Sequence, residues 1–192
     1  LELTMSPSTP TVLIVPGLRD AVAQHWQTLL AERLPNALSL APLGREQLGL
    51  EPRIEGLEAA VAAAPGPVLL VAHSGGCVLV AHWARCTQLS ARVSGALLAT
   101  PPTFDRPLPP AYPQLEALDA AGWLPVPRQR LPFASLVAAS HNDVLGEFDA
   151  VCQLARDWGS TIEDLGEVGH LNPASGFGPW PLAHTLIQRL MP

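Results

Sequence analysis

Four short apolar runs recur along the chain, each cut off by turn-forming residues. Val12–Val15 (VLIV) stops at Pro16-Gly17, and Val68–Ala72 (VLLVA) stops at His73-Ser74-Gly75-Gly76. Gly95–Ala99 (GALLA) ends just before Pro101-Pro102, and Ser135–Ala139 (SLVAA) ends at Ser140-His141-Asn142-Asp143. Unbroken apolar runs of this length predict strands covered on both faces, as in a parallel sheet. Ile162–Leu165 reads as a last strand and Ala37–Leu40 as a weaker one. Between the runs, Ala23–Leu34, Ile54–Ala64, Gly76–Gln88, Phe148–Trp158 and Leu182–Leu190 carry apolar residues three and four positions apart, the spacing of a helix face. The alternation predicts an α/β class: a mostly parallel sheet of five to six strands with helices on both faces. The segment Gly76–Gln88 is apolar around most of its circumference, which marks the buried central helix.

The stretch from Pro101 to Pro132 breaks this rhythm. Its many prolines exclude a long uninterrupted helix, because each lacks an N–H and clashes with the preceding turn. It reads as a loop or small cap over the sheet edge. At 192 residues the whole chain, 1–192, fits one domain, with residues 1–10 as an N-terminal extension. The 48% hydrophobic and 15% charged content excludes disorder and coiled coil. No apolar run reaches the ~18–20 residues of a membrane span, so no membrane partner is expected.

Charge narrows the function further. The net charge is −6 and the 11 basic residues are scattered, which leaves no footprint for a nucleic-acid backbone. All 11 are Arg, so chemistry that needs a Walker lysine, a pyridoxal Schiff base or a Ser-Lys dyad is excluded. No cofactor motif such as G-x-G-x-x-G and no metal-ligand spacing such as H-E-x-x-H occurs, so neither cofactor nor metal is expected. Cys77, Cys86 and Cys152 are odd in number and sit in apolar surroundings, which predicts buried free thiols in a reducing compartment. The start, LELTMSPSTP, lacks the basic and apolar segments of a secretion signal, and cytoplasmic residence is the expectation.

Val68–Gly76 has the strand, tight turn and helix of a nucleophile elbow, with Ser74 at its tip. A residue held in so sharp a turn needs small neighbours two positions away on each side, and Ala72 and Gly76 supply them. Ala72 replaces the usual first glycine of G-x-S-x-G, a mild departure. A serine hydroxyl is a poor nucleophile at neutral pH until an imidazole takes its proton. His170, in Glu167-Val168-Gly169-His170 after the last predicted strand, is the best placed; His141, in another strand-end loop, is the rival. His25, His82 and His184 fall within predicted helices, and His73 adjoins the serine and would point into the sheet or a neighbouring loop. A carboxylate must hold the imidazole in the accepting tautomer, and Asp143 follows its strand by four residues, with Asp105 as the alternative. The order Ser74, Asp143, His170 is that of α/β hydrolases. The Gly75 amide is the expected first donor to a developing oxyanion, and the Leu18 amide, in Pro16-Gly17-Leu18-Arg19, the second.

The chain resembles the small single-domain serine hydrolases that include retinoblastoma-binding protein nine and bacterial YdeN-like proteins. The matching blocks are Val12–Leu18, His25-Trp26-Gln27, Val71–Gly76, Ser140–Asp143 and the long run Gly169–Trp180 (GHLNPASGFGPW). The resemblance implies a compact α/β-hydrolase fold without a large cap domain, and Ser74, Asp143 and His170 as the triad. It also implies Trp26, Phe177 and Trp180 near the site, where aromatic faces would line an acyl pocket; for Trp26 and Trp180 core packing is the competing role. Trp123 reads as part of a lid, or as core or surface packing. Gly75 stands where relatives often carry Leu or Ser, which bears on pocket shape. The expected function is hydrolysis of small carboxylic esters through an acyl-enzyme, with a small-molecule ester or amide as substrate and a protein partner left open. The alternatives are an amidase or peptidase using the same residues, or an interaction module that keeps the fold with a vestigial site.

Overall fold

The computed structural model describes residues 9–191, so residues 1–8 of the expected N-terminal extension lie outside it. Six strands, β1 (Thr11–Val15), β2 (Ala37–Ser39), β3 (Val68–His73), β4 (Val93–Ala99), β5 (Ser135–Ala139) and β6 (Thr161–Asp164), form one sheet in the order β2-β1-β3-β4-β5-β6. Every neighbouring pair runs parallel. Side chains alternate across a strand, so each apolar run feeds both faces. Leu13, Val15, Leu70, Ala72, Leu98 and Val137 face one layer, filled by helices α2 (Leu50–Ala63), α3 (Gly75–Ala84) and α5 (Phe148–Trp158). Val12, Ile14, Leu69, Val71, Leu97 and Leu136 face the other, with α1 (Trp26–Arg33) and α6 (Leu182–Leu190).

The Pro101–Pro132 stretch holds a single short helix, α4 (Leu115–Ala120), among turns. Its Phe104, Leu108, Leu118, Trp123 and Leu131 are buried in the α2–α3–α5 layer. Trp123 is therefore core, its indole N–H donating to the Leu48 carbonyl at 2.8 Å.

Several details depart from the sequence reading, among them helix α2, which begins at Leu50 and not Ile54. Helix α1 starts at Trp26 and not Ala23, because the His25 ring accepts the Gln27 N–H and caps the helix there. Helix α3 stops at Ala84, and the Thr87 hydroxyl beyond it is tied to Glu58 of α2 at 2.7 Å. Cys86 consequently lies past the packed face of α3 and is exposed, while Cys77 and Cys152 are buried; all three are free thiols. No helix among the described residues is long and apolar enough to cross a membrane.

In this sheet the chain winds outward from β1 in one direction to β2 and in the other through β3 to β6. Loops leaving the carboxyl ends of β1 and β3 therefore part company and leave a crevice between them, where open α/β sheets bind their ligands.

Candidate active site

Ser74 lies at that crevice, between the end of β3 and the first residue of α3, at φ 55° and ψ −130°. A side chain at such a backbone angle costs of order 1–3 kcal/mol, so the surroundings must enforce it. The Ser74 N–H extends the β3–β4 ladder to the Ala99 carbonyl at 3.0 Å. Gly76 lets α3 begin against β1: a Cβ there would come within 2.4 Å of the Val15 carbonyl oxygen and 2.7 Å of that of Pro16. Helix start and strand end touch backbone to backbone.

His170 comes from the loop after β6 and Asp143 from the loop after β5. The His170 Nε2 stands 2.8 Å from the Ser74 Oγ. Its Nδ1 is 3.0 and 2.9 Å from the two Asp143 carboxylate oxygens. Carboxylate oxygens only accept, so Nδ1 carries the proton and Nε2 is left free to accept from serine. The Asp143 side chain is 2% exposed, and its Oδ1 also accepts the Leu145 N–H at 2.9 Å, which orients the carboxylate. The arrangement can draw the Ser74 proton onto His170 and hold the resulting imidazolium against a buried negative charge.

The two rivals lie elsewhere. His141 is bound to the Asp164 carboxylate at 2.9 Å and stacked on Phe148 at 3.8 Å, at the exposed end of β6. Asp105 accepts from the Thr103 hydroxyl at 2.7 Å and pairs with Arg106.

Leu18 and Gly75 face each other beside the serine. A Cβ added at Gly75 would lie 3.5 Å from the Leu18 nitrogen and 2.8 Å from its Cγ, so a side chain at 75 would displace Leu18. Neither amide donates to an acceptor among the described residues. The Gly75 amide is among the unpaired donors at the positive end of α3. Sequence reasoning missed what holds the Leu18 loop. The buried Arg53 of α2 donates to the Leu18 carbonyl at 3.2 Å and the Gln47 carbonyl at 2.9 Å, and pairs with Asp20 at 3.5 Å. Asp20 in turn accepts the Gly44 N–H at 2.7 Å. Nothing in the local pattern marks Arg53, which is 35 residues from Leu18.

Two further histidines line the same crevice. His73, the last residue of β3, hydrogen-bonds the His170 carbonyl at 2.9 Å. Its ring lies 4.9 Å from that of His170 and 4.5 Å from that of His25. Burial, and then the charge that His170 would carry, push the pKa of His25 down to about 4 and that of His73 well below the usual imidazole value. Both are neutral at pH 7. Gln27 closes the floor, its amide donating to the Val15 and Val71 carbonyls at 3.1 and 2.9 Å.

A cavity of about 930 Å³ opens over Ser74. Its lining includes the apolar Leu18, Phe104, Leu108, Tyr112 and Leu145 together with the charged Arg19, Asp20, Glu32 and Arg45. Tyr112 stands edge-on to His170 at 6.3 Å and is held by Arg19, whose guanidinium lies 4.4 Å over its ring and donates to the Ala111 carbonyl. The aromatics expected to line a pocket are placed differently. Trp26, Phe177 and Trp180 do not border this cavity; they pack in the α1–α6 layer, Trp26 against Trp180 at 4.8 Å. The reason is the helix phase of α1, which turns Trp26 inward beside the cap residue His25.

Sheet order, helix layers and the elbow make this an α/β hydrolase. A YdeN-like hydrolase from Pectobacterium atrosepticum is similar over 95% of this chain and 92% of its own, at 27% identity and a TM-score of 0.78. The ydeN gene product of Bacillus subtilis is similar over 95% of this chain and 98% of its own, at 22% identity and a TM-score of 0.76. A thermophilic esterase from Thermogutta terrifontis shares the fold over 96% and 89%, at 16% identity and a TM-score of 0.61. No curated protein matches the chain. The serine hydrolase family matches residues 12–189, nearly the full length, and the chain belongs to that family. It is a hydrolase.

Proposed function

We propose that the protein hydrolyses small carboxylic esters, with Ser74 as nucleophile, His170 as general base and then acid, and Asp143 as the carboxylate that orients and balances His170. The observation that carries this reading is the unbroken hydrogen-bonded series from Ser74 Oγ through His170 to Asp143, at 2.8 and 2.9 Å. Ser74 attacks the carbonyl carbon as its proton passes to His170 Nε2. The negative charge that develops on the carbonyl oxygen meets the amides of Leu18 and Gly75, each such donor being worth ~3 kcal/mol to the transition state. Collapse of the tetrahedral intermediate expels the alcohol, protonated by His170, and leaves an acyl-enzyme. His170 then deprotonates water for the second attack, which frees the carboxylic acid and restores Ser74.

The apolar Leu18, Phe104, Leu108, Tyr112 and Leu145 in the lining of the cavity over Ser74 support an uncharged acyl or alkoxy group as part of the substrate. The free thiol of the exposed Cys86 supports a reducing, cytoplasmic setting for the reaction. The test is the intact mass of the protein after treatment with a fluorophosphonate, for wild type and Ser74→Ala, followed by a p-nitrophenyl ester series of rising acyl length. A single adduct lost in Ser74→Ala, with ester turnover lost alongside it, is expected. A folded wild type that takes up no probe overturns the proposal, and retained turnover in Ser74→Ala moves the nucleophile elsewhere.

A further inference from the structure

The loop that carries His170 is held unevenly. On its amino side two side chains grip the backbone: the Gly169 N–H donates to Asn142 Oδ1 at 2.6 Å and the His170 N–H to Ser175 Oγ at 3.0 Å. Ser175 is itself fixed by Asn172 at 2.9 Å. The residues on both sides of His170 are in the left-handed region, Gly169 at φ 58° and Leu171 at φ 48°. For a leucine that conformation is disfavoured, and the loop would relax if its carboxyl side were free. That side is held by the burial of Leu171, by its N–H donating to the Val168 carbonyl at 3.1 Å, and at His170 itself by the carbonyl, which receives the His73 ring nitrogen at 2.9 Å and, at the longer distance of 3.5 Å, the Thr100 hydroxyl.

We propose, resting on the reading of His170 as the general base, that His73 is a positioning residue whose Nε2–H fixes the His170 backbone so that its ring meets Ser74. A carbonyl oxygen only accepts, so the His73 proton must sit on Nε2. Burial keeps the ring neutral, and the bond to the His170 carbonyl keeps its one proton on Nε2. Residues 73 and 74 are adjacent on one strand end and take hold of His170 at two points, the backbone oxygen and the ring. The base is thereby referenced to the same piece of β3 that carries the nucleophile. The adjacent His25 ring, 4.5 Å from His73 and capping α1, keeps His73 from swinging toward that helix.

The test compares His73→Leu, which removes the donor, with His73→Gln, whose amide nitrogen reaches a similar point. Misplacement of a reacting group by ~1 Å costs on the order of 10²-fold in rate. His73→Leu is expected to lose about that factor in kcat for p-nitrophenyl acetate and in the rate of fluorophosphonate labelling, with KM little changed. His73→Gln is expected to recover most of the loss. In a His170→Ala background, where the base is already gone, His73→Leu is expected to cost nothing more. Thermal unfolding of each variant separates these effects from loss of fold. Folded His73→Leu with wild-type kcat, or a loss that persists undiminished in the His170→Ala background, overturns the assignment. Should His170→Ala itself keep full turnover, the reading of His170 as the base fails, a different result from failure of His73 alone.

Discussion

Replacing Asp143 by Asn changes the charge at the site and almost nothing of its shape. The Leu145 N–H needs an acceptor where Oδ1 stands, so the amide oxygen stays there and the amide NH₂ takes the place of Oδ2, 2.9 Å from the His170 Nδ1. A donor then faces Nδ1 where one of its two acceptors stood, and only the amide oxygen, 3.0 Å away and shared with the Leu145 N–H, is left to accept. The Nδ1–H tautomer is disfavoured relative to the one with the proton on Nε2, the atom that must accept from Ser74. The second loss is electrostatic. An imidazolium and a carboxylate about 4 Å apart attract by ~4 kcal/mol at an effective dielectric of about 20, equal to about 10³-fold in rate. Together with the wrong tautomer the expected fall in kcat is ~10³ to 10⁴-fold. KM should change little, since Asp143 touches no substrate. The assay is steady-state hydrolysis of p-nitrophenyl acetate beside the rate of fluorophosphonate labelling, with circular dichroism as the check on folding. No other carboxylate among the described residues bonds His170, so no substitute is at hand. A folded Asp143→Asn that loses less than about tenfold refutes the reasoning.

Gly76→Ala drives a Cβ against two backbone oxygens and should cost at least about 3 kcal/mol; calorimetry should show Tm lowered by ~6–12 °C. Gly56→Ala, in the middle of α2 with open space around it, should raise Tm by ~2 °C through its helix propensity. Because the folded pKa of His25 is about 4 against 6.5 in the unfolded chain, the unfolded state binds a proton between those values that the folded state refuses. Stability should therefore fall as pH drops through that window, by roughly 3 kcal/mol from His25 alone, and urea midpoints from pH 7 to 4.5 should show the slope diminished in His25→Gln. Trp180→Ala, which opens the contact with Trp26 and not the cavity, should lower Tm and leave KM for small esters unchanged.

What could be read from the chain was whatever a strand end announces locally. An apolar run followed by turn residues marks the carboxyl edge of a buried parallel strand, and Ser74 and Asp143 each follow one; His170 follows the short, exposed edge strand β6, which was legible from its place in the strand–helix alternation. Helix ends were less legible, because they depend on single bonds. The His25 cap shortened α1, and the tie between Thr87 and Glu58 joins the segment after α3 to α2. Contacts between distant segments away from the strand ends were not legible. Arg53 reaches the Leu18 carbonyl, and Arg19 reaches Tyr112, through folds of the chain that no periodicity encodes. Trp26 was left between pocket wall and core for a related reason, since the role of a large aromatic beside a conspicuous motif is decided by the helix phase, which here makes it core.

The strain in the backbone has a direction to it. Among the described residues, the non-glycine positions with positive φ are Asp20, Ser74, Thr100, Phe104 and Leu171. These follow β1, β3, β4 and β6, and all lie at the carboxyl edge where the candidate site is built. Each conformation costs free energy that a relaxed loop would recover, so each must be held by something stiffer than itself. For Asp20 that is Arg53 and the Gly44 amide; for Ser74 and Thr100 it is the ladder, through the Ala99 and Ala138 carbonyls. Leu171 is held by complete burial in the α1–α6 layer. The apolar strands thus serve function as well as stability. They supply the rigid edge against which a serine, an imidazole and two amides are kept in positions that none of their own segments would choose.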